Sequence, residues 1–531
     1  MNCTSTRLPY TDTGFFSTII TDYLQQKKDI TPFYKHHVDM GGVKAAIEER
    51  KKTTSHRNTL VAELEKQYAL LQTSELVKHN IRLLADDTTF TITTAHQPVI
   101  FTGTLYFIYK IVHVIKLAAS FKEQLPQYNF VPVFYMGSED ADLDELGSIW
   151  LNNEKIVWDT QQTGAVGRMK TAGLEKIIAR IEGELSVQPY GKELLQLLKD
   201  CYINSPDIQT ATFKLIDALF ARFGLVVLIP DNPGLKKLLL PVFEDDLFNQ
   251  TAAGIAEKTI EALAAHYKVQ ANPRAINLFY LKGDIRERFE KEGDGWRVVN
   301  TDIRFTPETL LQEMNEHPER FSPNVILRGL FQETILPNIL FVGGGGELAY
   351  WLELKNIFEH YKVPYPVLVL RNSFLIVEKK WQDKIKRLGF GVADFFKPEQ
   401  QLLTALVTHN KTGALKLEDE LEDVKKFYGQ LKIKAGAIDT TLEQHIEALR
   451  AKATRPLYEL EKKMLRAEKR KYKDQSGQIH AVKSALFPQH GLQERIENFM
   501  PYYAKWGSQF IDMLYAHSLT LEQEFFMLNE A

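Results

Sequence analysis

Five carboxylates follow one short apolar segment of this chain within seven residues: Glu139, Asp140, Asp142, Asp144 and Glu145. The preceding residues, Val131 to Met136, are apolar and β-branched or aromatic, which predicts a buried strand. Clustered negative charges repel one another and raise some of their pKa values. Such carboxylates suit a general base that acts on an amine, or a metal that carries nucleotide phosphates. The same run also fits a solvated acidic loop that caps the next helix.

A second chemical motif consists of four consecutive glycines, Gly343 to Gly346. They follow the apolar run Ile339 to Val342 and precede a helical pattern that opens with Glu347. Glycine permits a positive φ and lets a ligand approach the backbone closely. Backbone N–H groups at such a helix start can bind an anion or stabilise developing negative charge. A tight strand-to-helix turn without a ligand fits the same residues.

A third junction follows the predicted strand Phe90 to Thr94 and precedes a long helix that is expected from about Leu105. His96 and Gln97 stand where this strand gives way to its loop. In an open α/β sheet, side chains at that position commonly contact substrate. A histidine there also fits a purely structural, hydrogen-bonded residue.

The three junctions together resemble the bacillithiol biosynthesis cysteine-adding enzymes, the BshC family. The resemblance rests on HQPVIFTGTLYFIYK (96–110), VPVFYMGSEDADLDEL (131–146) and SPNVILRGLFQETILPNILFVGGGGELAYWLELK (322–355). It continues through VPYPVLVLRNS (363–373) and GLQERIENFMPYY (491–503). These blocks occur in order across most of the chain, and their combination is specific where a single block would not be.

The resemblance implies an α/β fold with a Rossmann-like core similar to class I nucleotidyltransferases and aminoacyl-tRNA synthetases. Connecting insertions and a C-terminal antiparallel α-helical coiled coil complete the expected architecture. The expected domains are a core in 1–150, 205–265 and 322–400, insertions in 151–204 and 266–321, a coiled coil in 401–485, and a segment packing back on the core in 486–531.

The reaction implied by the resemblance joins the carboxyl group of cysteine to the amine of glucosaminyl malate, as the last step of bacillithiol synthesis. A carboxylate is a poor electrophile, so ATP with Mg is expected to activate cysteine, while no tightly bound cofactor and no protein metal site are predicted. The catalytic candidates are His96, Glu139, Asp140 and Asp142. The substrate-binding candidates are Gln97, Thr102, Gly103, Tyr106, Lys110, Arg328, Gln332, Gly343, Gly344, Gly345, Gly346, Glu347, Tyr350, Trp351, Lys355 and Arg371. The nucleotide-contact candidates are Gln493 and Arg495.

This chain departs from the family pattern at its acidic motif. Ser138-Glu139-Asp140-Ala141-Asp142 has alanine where the family usually has histidine, so a mechanism with that histidine as base cannot operate here. His96-Gln97 also stands where many members have two glutamines, and Thr104 replaces a common proline. The missing histidine favours two alternatives, an adenylate-forming ligase for another amino acid and amine, or a non-catalytic nucleotide- or metabolite-binding homologue.

Composition predicts a soluble multidomain enzyme of the cytoplasm. The chain has 531 residues, a net charge of −3 and a pI near 6.6, which argues against an extended nucleic-acid surface. No apolar run approaches the roughly 18 residues that span a membrane, and the N-terminus lacks a secretory pattern. Two cysteines make no disulfide framework, in keeping with a reducing compartment. The expected partners are therefore small molecules, with neither nucleic acid nor membrane.

Helical and hairpin patterns fill the rest of the chain. Leu174 to Leu198 is helical in pattern, and a hairpin is expected around Asp294-Gly295. Apolar residues spaced three and four apart from Leu421 to Leu442, and again from Ile446 to Ala467, predict two long helices. Pro456 is expected to kink a helix or to start one. We interpret this region as an antiparallel coiled coil that forms a homodimer.

Overall fold

A computed structural model describes residues 3–53, 55–410 and 416–531 of the chain. These residues form two compact units. The first comprises the described part of Met1–Leu375 together with Gly491–Asn529 and Ala531. The second comprises the described part of Ile376–His490 together with Glu530. The finer boundaries of core and insertions given above stay predictions.

The strands of the described chain, in order, are β1 (Cys3–Pro9), β2 (Thr89–His96), β3 (Asn129–Met136), β4 (Ser148–Leu151), β5 (Glu154–Val157), β6 (Val226–Leu228), β7 (Leu278–Lys282), β8 (Ile285–Glu292), β9 (Gly295–Val298), β10 (Arg304–Phe305), β11 (Phe321–Pro323), β12 (Asn338–Gly343), β13 (Val367–Leu370), β14 (Phe374–Val377) and β15 (Glu524–Glu530). They form sheets of order β13-β12-β2-β3-β6, β10-β9-β8-β7-β11, β1-β15-β14 and β4-β5.

The α-helices, in order, are α1 (Tyr10–Thr13), α2 (Thr18–Leu24), α3 (Met40–Arg50), α4 (Arg57–Tyr68), α5 (Glu75–Leu83), α6 (Leu105–Gln124), α7 (Leu143–Leu146), α8 (Leu174–Leu185), α9 (Gly191–Tyr202), α10 (Ile208–Phe220), α11 (Pro233–Lys236), α12 (Leu240–Phe248), α13 (Thr251–Ala264), α14 (Pro307–Glu316), α15 (Val325–Ile335), α16 (Gly345–His360), α17 (Lys379–Arg387), α18 (Glu399–Asn410), α19 (Glu418–Gly436), α20 (Leu442–Lys469), α21 (Lys473–Leu486), α22 (Met500–Trp506) and α23 (Gln509–His517).

A five-stranded parallel sheet is the core of the first unit, as the α/β prediction requires. All its strand pairs are parallel, and the strands are buried on both faces, which explains their nearly continuous apolar or threonine-rich sequences. The chain runs from β2 outward to β3 and β6, and then crosses to β12 and β13 on the other side of β2. The strand order therefore reverses between β2 and β12. Ligands of open α/β sheets bind beside such a reversal, at the carboxyl ends of the strands.

The predicted helix from Leu174 to Leu198 is interrupted in the structure, which forms α8 and α9 with a turn between them. At Gly191 a Cβ atom would lie 1.7 Å from the carbonyl oxygen of Leu185. Only glycine allows this close approach of two backbone segments. The helical periodicity was thus read correctly, but the backbone contact that breaks it has no trace in that periodicity.

The predicted hairpin is present in the antiparallel sheet, but its turn lies one residue earlier than expected. Glu292 pairs with Gly295, so Gly293 and Asp294 form the turn. Gly293 has a φ of 60°, a conformation that glycine adopts without strain. The register of the hairpin is therefore set by Gly293, with Gly295 already in β9.

The second unit contains the predicted pair of long helices. The backbone N–H of Leu417 donates to Glu461 at 2.8 Å, and Lys432 lies 3.3 Å from Glu447, so α19 and α20 run antiparallel. Pro456 lies inside α20, which neither begins nor ends there. Among the described helices of both units, none combines the length and the apolar character needed to cross a membrane.

Candidate active site

A cleft of about 440 Å³ opens at the carboxyl ends of β2, β3 and β12, beside the reversal of strand order. The register explains why the junctions meet there. His96, the last residue of β2, pairs with Met136 at the end of β3, and Val342 near the end of β12 pairs with Thr94. The cleft is lined by Ala95, His96, Gln97, Tyr106, Lys110, Tyr135, Gly137, Glu139, Asp140, Glu145, Pro230, Gln270, Arg286, Pro323, Asn324, Val325, Arg328, Gly344, Gly345, Gly346, Glu347, Tyr350, Arg371 and Arg495.

The glycine run forms the start of α16, as predicted. None of the four glycines has a positive φ, so the conformational reason given for them above is wrong. At Gly343 the reason is steric, because a Cβ there would lie 2.8 Å from the Phe341 ring, whereas a Cβ on Gly346 would meet nothing within 4 Å. The N–H groups of Gly345 and Gly346 have no acceptor in the described chain, as expected for the first turn of a helix. They remain available to an anion in the cleft.

A buried ion pair joins this helix start to α6. Glu347 accepts a hydrogen bond from the Gly344 N–H at 2.9 Å and pairs closely with Lys110. Lys110 also donates to the carbonyl of Ala95 at 2.9 Å. Burial raises the pKa of Glu347, but Lys110 more than offsets this, so the pKa of Glu347 is lowered overall. The pair fixes the helix start against the end of β2, and the charges of the two side chains neutralise each other.

His96 is neutral at physiological pH. Burial and the positive charge of Lys110 lower its pKa to about 3. Its Nδ1 lies 3.1 Å from the Gln97 carbonyl, which can only accept, so Nδ1 carries the proton. Nε2 then accepts a hydrogen bond from the Tyr106 hydroxyl at 3.1 Å. His96 holds Tyr106 in the cleft, and its lone pair is already engaged.

The acidic loop supplies two carboxylates that face the cleft without a cationic contact. Asp140 accepts hydrogen bonds from Gln97 Nε2 at 3.1 Å and from the Ala141 N–H at 2.7 Å. Glu145 has no hydrogen-bond or ion-pair partner for its carboxylate in the described chain. Partial desolvation raises the pKa of Glu145, and the charges of Asp142 and Asp140 raise it further. A carboxylate with a raised pKa and free oxygens suits the acceptance of a proton from an amine.

Glu139, although it lines the cleft, belongs to a buried charge network. It pairs closely with Lys236, whose side chain is fully buried and lies 3.6 Å from Asp231. Arg168 makes two hydrogen bonds of 2.6 Å, one to each carboxylate oxygen of Asp231. Lys236 and Arg168 also donate to the carbonyl of Glu319. Two cations thus balance two anions, and the acidic loop is tied to α11 and to the antiparallel sheet's neighbouring segment.

Two arginines of the cleft lie near the start of α16. Arg371 donates to Glu494 at 2.7 Å, while its Nε is buried without an acceptor, 3.7 Å from the position that a Cβ on Gly344 would take. Arg495 has no hydrogen-bond or ion-pair partner for its guanidinium in the described residues. Burial and the charge of Arg371 lower the pKa of Arg495. Unsatisfied donors at a helix start are a fitting set for a phosphate or a carboxylate.

Two further arginines line the cleft, Arg286 beside the acidic loop and Arg328 between that loop and the start of α16. Arg328, on α15, donates closely to the Tyr350 hydroxyl and senses the charge of Asp140. Arg286, on β8, has neither a hydrogen bond nor an ion pair in the described chain. Its guanidinium lies over the Phe279 ring, 4.0 Å from the centroid. Cationic side chains therefore flank the cleft on both sides.

The remaining candidates from the sequence do not line the cleft. They are Thr102, Gly103, Asp142, Gln332, Gly343, Trp351, Lys355 and Gln493. Gly103 has a φ of 61° in a tight turn, and Asp142 caps α7 by accepting from the Glu145 N–H at 3.2 Å. Trp351 is fully buried and stacks on Phe341 at 4.5 Å, the core role that base rates for tryptophan favour. Lys355 donates to the carbonyl of Pro32 at 2.9 Å.

The sequence does not single out Glu145 or Arg286, which line the cleft, or the buried Lys236, which pairs with Glu139 outside that lining. Glu145 was grouped with the acidic run but not separated from it, although it is the carboxylate without a partner. Lys236 and Arg286 were not considered at all. Alternation along the hairpin could have halved the choices for Arg286, but nothing in it says that the hairpin reaches the cleft. No group of three or more potential metal-ligating side chains occurs in the described ranges.

The arrangement can bind anions at two places and accept a proton between them. The start of α16 with Arg371 and Arg495 offers one anion site, and Arg286 beside the acidic loop offers another. Asp140 and Glu145 supply carboxylates, with a raised pKa at Glu145. Such a cleft suits the attack of an amine on an activated carboxyl group, because both negative charge and a proton must be handled.

Comparisons with known proteins agree with this architecture. Residues 1–372 match the family model for the N-terminal Rossmann-like domain of bacillithiol biosynthesis BshC, and residues 374–530 match the model for its C-terminal coiled-coil domain. A solved structure from Campylobacter jejuni, described as a "putative arginyl t-RNA synthetase", aligns with 85% of this chain and 100% of its own. At 9% identity and a TM-score of 0.23, that likeness carries no argument.

Several relatives are similar along nearly their whole length. The chain is 37% identical to a Flavobacterium johnsoniae protein over 98% of each chain, and 38% identical to one from Cytophaga hutchinsonii over 95% of each. A Bacillus cereus protein is 26% identical over 93% of this chain and 94% of its own. All three are named "Putative cysteine ligase BshC". With both family models matched in order, this chain belongs to the bacillithiol biosynthesis BshC family.

Proposed function

We propose that this protein is a cytoplasmic ligase that forms an amide bond between the carboxyl group of cysteine and the amine of glucosaminyl malate, completing bacillithiol. The observation that carries the proposal is the cleft itself. Among the described residues, two arginines without an ion pair, Arg286 and Arg495, converge with a helix start whose N–H groups have no acceptor and with the unpartnered carboxylate of Glu145, beside the reversal of strand order. The names of the relatives supply the amino acid and the type of enzyme. The amine substrate is the one that the family resemblance implies, and the family model names bacillithiol biosynthesis without naming an amine.

The proton acceptor in this proposal is Glu145. The attacking amine must lose a proton, and histidine is absent from the acidic loop at Ala141. His96 does not replace it, because its low pKa and its hydrogen bond with Tyr106 leave no free basic nitrogen. Glu139 is neutralised by Lys236, whereas Glu145 combines a raised pKa with free oxygens. Asp140 holds Gln97 and adds negative charge that favours the ammonium form of the incoming amine.

The anion site at the start of α16 is the proposed place of carboxyl activation. ATP with Mg supplies the activation of the cysteine carboxylate in this proposal. The N–H groups of Gly345 and Gly346, the buried Nε of Arg371 and the unpaired Arg495 would hold the phosphate oxygens. The same donors would stabilise negative charge that develops when the amine attacks. Lys110 and Glu347 position this helix start. Because their charges neutralise each other, the pair adds no net charge to the anion site.

The test is a mass-spectrometric assay of the purified protein with cysteine, glucosaminyl malate and Mg-ATP, repeated without ATP and with serine in place of cysteine. We expect an ATP-dependent product with the mass of bacillithiol and little product from serine. The matched variants are Glu145→Gln, which should lose product formation, and Asp144→Asn, which alters an exposed neighbour outside the cleft. Folded wild-type protein without any amide product would contradict the proposal.

We also propose that the second unit forms a homodimer through its coiled coil. Phe427 and Ile433 on α19 and Ile438 beyond it are 57%, 76% and 83% exposed in the single chain. Large apolar side chains this exposed on one helical hairpin favour burial against a second copy. Light scattering should give twice the 61.0 kDa chain mass for the wild type. The Phe427→Glu/Ile433→Glu variant should give the mass of one chain, and a monomeric wild type would contradict the proposal.

A further inference from the structure

Arg286 is an unusual arginine within its own sheet. The other arginines on β8, β9 and β10 pair with carboxylates: Arg288 and Arg297 with Glu290, and Arg304 with Glu292. Arg286 has no such partner among the described residues, and its Nε is buried without an acceptor. An arginine stays charged at any physiological pH, so a guanidinium in a cleft without a partner is an incomplete site.

The surroundings of Arg286 hold its guanidinium in a fixed plane. The group lies 4.0 Å from the centroid of the Phe279 ring, on the neighbouring strand β7. This cation–π contact leaves the edge of the fork, with its N–H groups, free to meet a ligand. Asp140 and Glu139 are near enough to attract the charge of Arg286, but neither lies within ion-pair distance. Those carboxylates are committed elsewhere, Asp140 to Gln97 and Glu139 to Lys236.

We propose that Arg286 is a specificity-determining residue that binds a carboxylate of the amine substrate, delivered to the cleft by the β7–β8 hairpin. The inference rests on the proposed function and deepens it. Arg286 senses the charges of Asp140 and Glu139 and lies beside the acidic loop, which carries the proposed base Glu145. The acid groups of the amine substrate must lie close to that base. The start of α16, with Arg371 and Arg495, is on the side of the activated carboxyl group. A planar fork matches a carboxylate with two parallel hydrogen bonds.

Arg286 also gives the β7–β8 hairpin a role in the cleft. The hairpin is not part of the parallel sheet, and Arg286 is the one residue of β7 and β8 that lines the cleft in the described chain. A ligase core that takes different amines could thus change substrate by changing this hairpin alone. The oxyanion that Arg286 meets could come from the amine substrate or from a nucleotide phosphate, and the two sources are separable by binding.

The experiment is isothermal titration of the full-length protein with malate as the probe for the amine substrate's acid groups, and separately with Mg-ATP. Three variants are compared with the wild type: Arg286→Gln, Arg286→Lys and Arg288→Gln. The last is the matched control, since Arg288 lies two residues along β8 and pairs with Glu290 at 3.7 Å outside the cleft lining. Circular dichroism checks that each variant is folded. Because Arg286→Lys keeps the positive charge, it provides a second test if Arg286→Gln changes the stability of the protein.

We expect Arg286→Gln to weaken malate binding by about 10- to 100-fold, the value of a lost charge-assisted pair. Arg286→Lys should weaken it less, because lysine keeps the charge but not the two parallel bonds. Mg-ATP binding and the Arg288→Gln variant should match the wild type.

Three results overturn the inference: wild-type protein that does not bind malate, malate binding unchanged in Arg286→Gln, or a loss of Mg-ATP binding in place of malate binding. Failure of the proposed function looks different, because malate binding would then depend on Arg286 while no amide product forms.

Discussion

Replacing Lys236 with methionine tests whether the acidic loop is held by its buried charge network. Methionine is similar in size, so the change removes a charge while leaving little cavity. The side chain of Lys236 is 0% exposed and that of Glu139 is 9% exposed. Two cations and two anions balance in the wild type, and the variant leaves one buried negative charge without a partner. Breaking one side of a buried pair costs about 3–5 kcal/mol.

The cost should depend on pH with a sign that identifies its origin. Burial raises the pKa of Glu139, and without Lys236 only the more distant charges of Arg286 and Arg168 oppose that rise. The folded variant then binds a proton more tightly than the unfolded chain does, so protonation stabilises the folded state. The deficit should be full above the raised pKa of Glu139 and should shrink as the pH falls through it. Lys236→Met should therefore be closer to wild-type stability near about pH 5.5 than near about pH 7.5.

The assay is urea unfolding followed by tryptophan fluorescence. Five of the six tryptophans lie in the first unit, which contains the network, and Trp381 alone lies in the second. Lys237→Met, a change of an exposed neighbour on the same segment, is the matched control. Adding Glu139→Gln to Lys236→Met removes the stranded charge and should recover more than half of the loss. A loss below about 1 kcal/mol, or a deficit that grows at low pH, would refute the reasoning.

Three other predictions concern the cleft. His96→Gln should retain activity within about tenfold, because a glutamine oxygen can accept the hydrogen bond from Tyr106. The pH profile of activity between about 6 and 8 should stay unchanged, because the imidazole does not titrate in that range. Loss of a pH-dependent change in activity near neutral pH would contradict this prediction. Glu145→Gln should lower kcat by about 10²- to 10⁴-fold. It should also abolish the fall in wild-type activity that occurs as the pH drops through the raised pKa of Glu145. If the variant's activity still falls at acidic pH, another group is the proton acceptor. Gly343→Ala should lower the free energy of unfolding in urea by about 1–3 kcal/mol, because its Cβ would lie less than 3.0 Å from Phe341 and Leu348. Gly346→Ala, whose Cβ meets nothing, should leave that free energy equal or higher. Equal losses in the two variants would show that steric contacts do not explain the glycine at position 343.

Much of the core was predictable because buried parallel strands have a recognisable sequence pattern. Strands buried on both faces are short apolar runs, and their carboxyl ends must share an edge, so His96, Gln97 and Asp140 could be placed together before any coordinates. The same logic placed Gly344 to Gly346. Local pattern alone carried these predictions, since each residue adjoins the strand that positions it.

The rest of the site depends on contacts that sequence patterns do not encode. Lys236 meets Glu139 across 97 residues of chain, and Arg286 reaches the cleft only through the docking of a hairpin. Trp351 was misplaced because α16 is buried on most of its surface, Glu353 included, so its periodicity does not show which side faces the cleft. The glycine run was placed correctly for the wrong reason. The steric demand at Gly343 comes from the Phe341 ring two residues earlier in β12 and from Leu348 on α16, and not from the backbone angle.

The central claim is that the cleft couples activation of the cysteine carboxyl group to amide formation, and one isotope experiment tests it directly. Purified protein is incubated with cysteine carrying ¹⁸O in both carboxyl oxygens, glucosaminyl malate and Mg-ATP, and all products are analysed by mass spectrometry. Amide formation removes one carboxyl oxygen, which leaves on the group that activated it. The account predicts bacillithiol with one ¹⁸O and AMP or phosphate with the other. An amide without labelled AMP or phosphate, or no amide from folded protein, would contradict it.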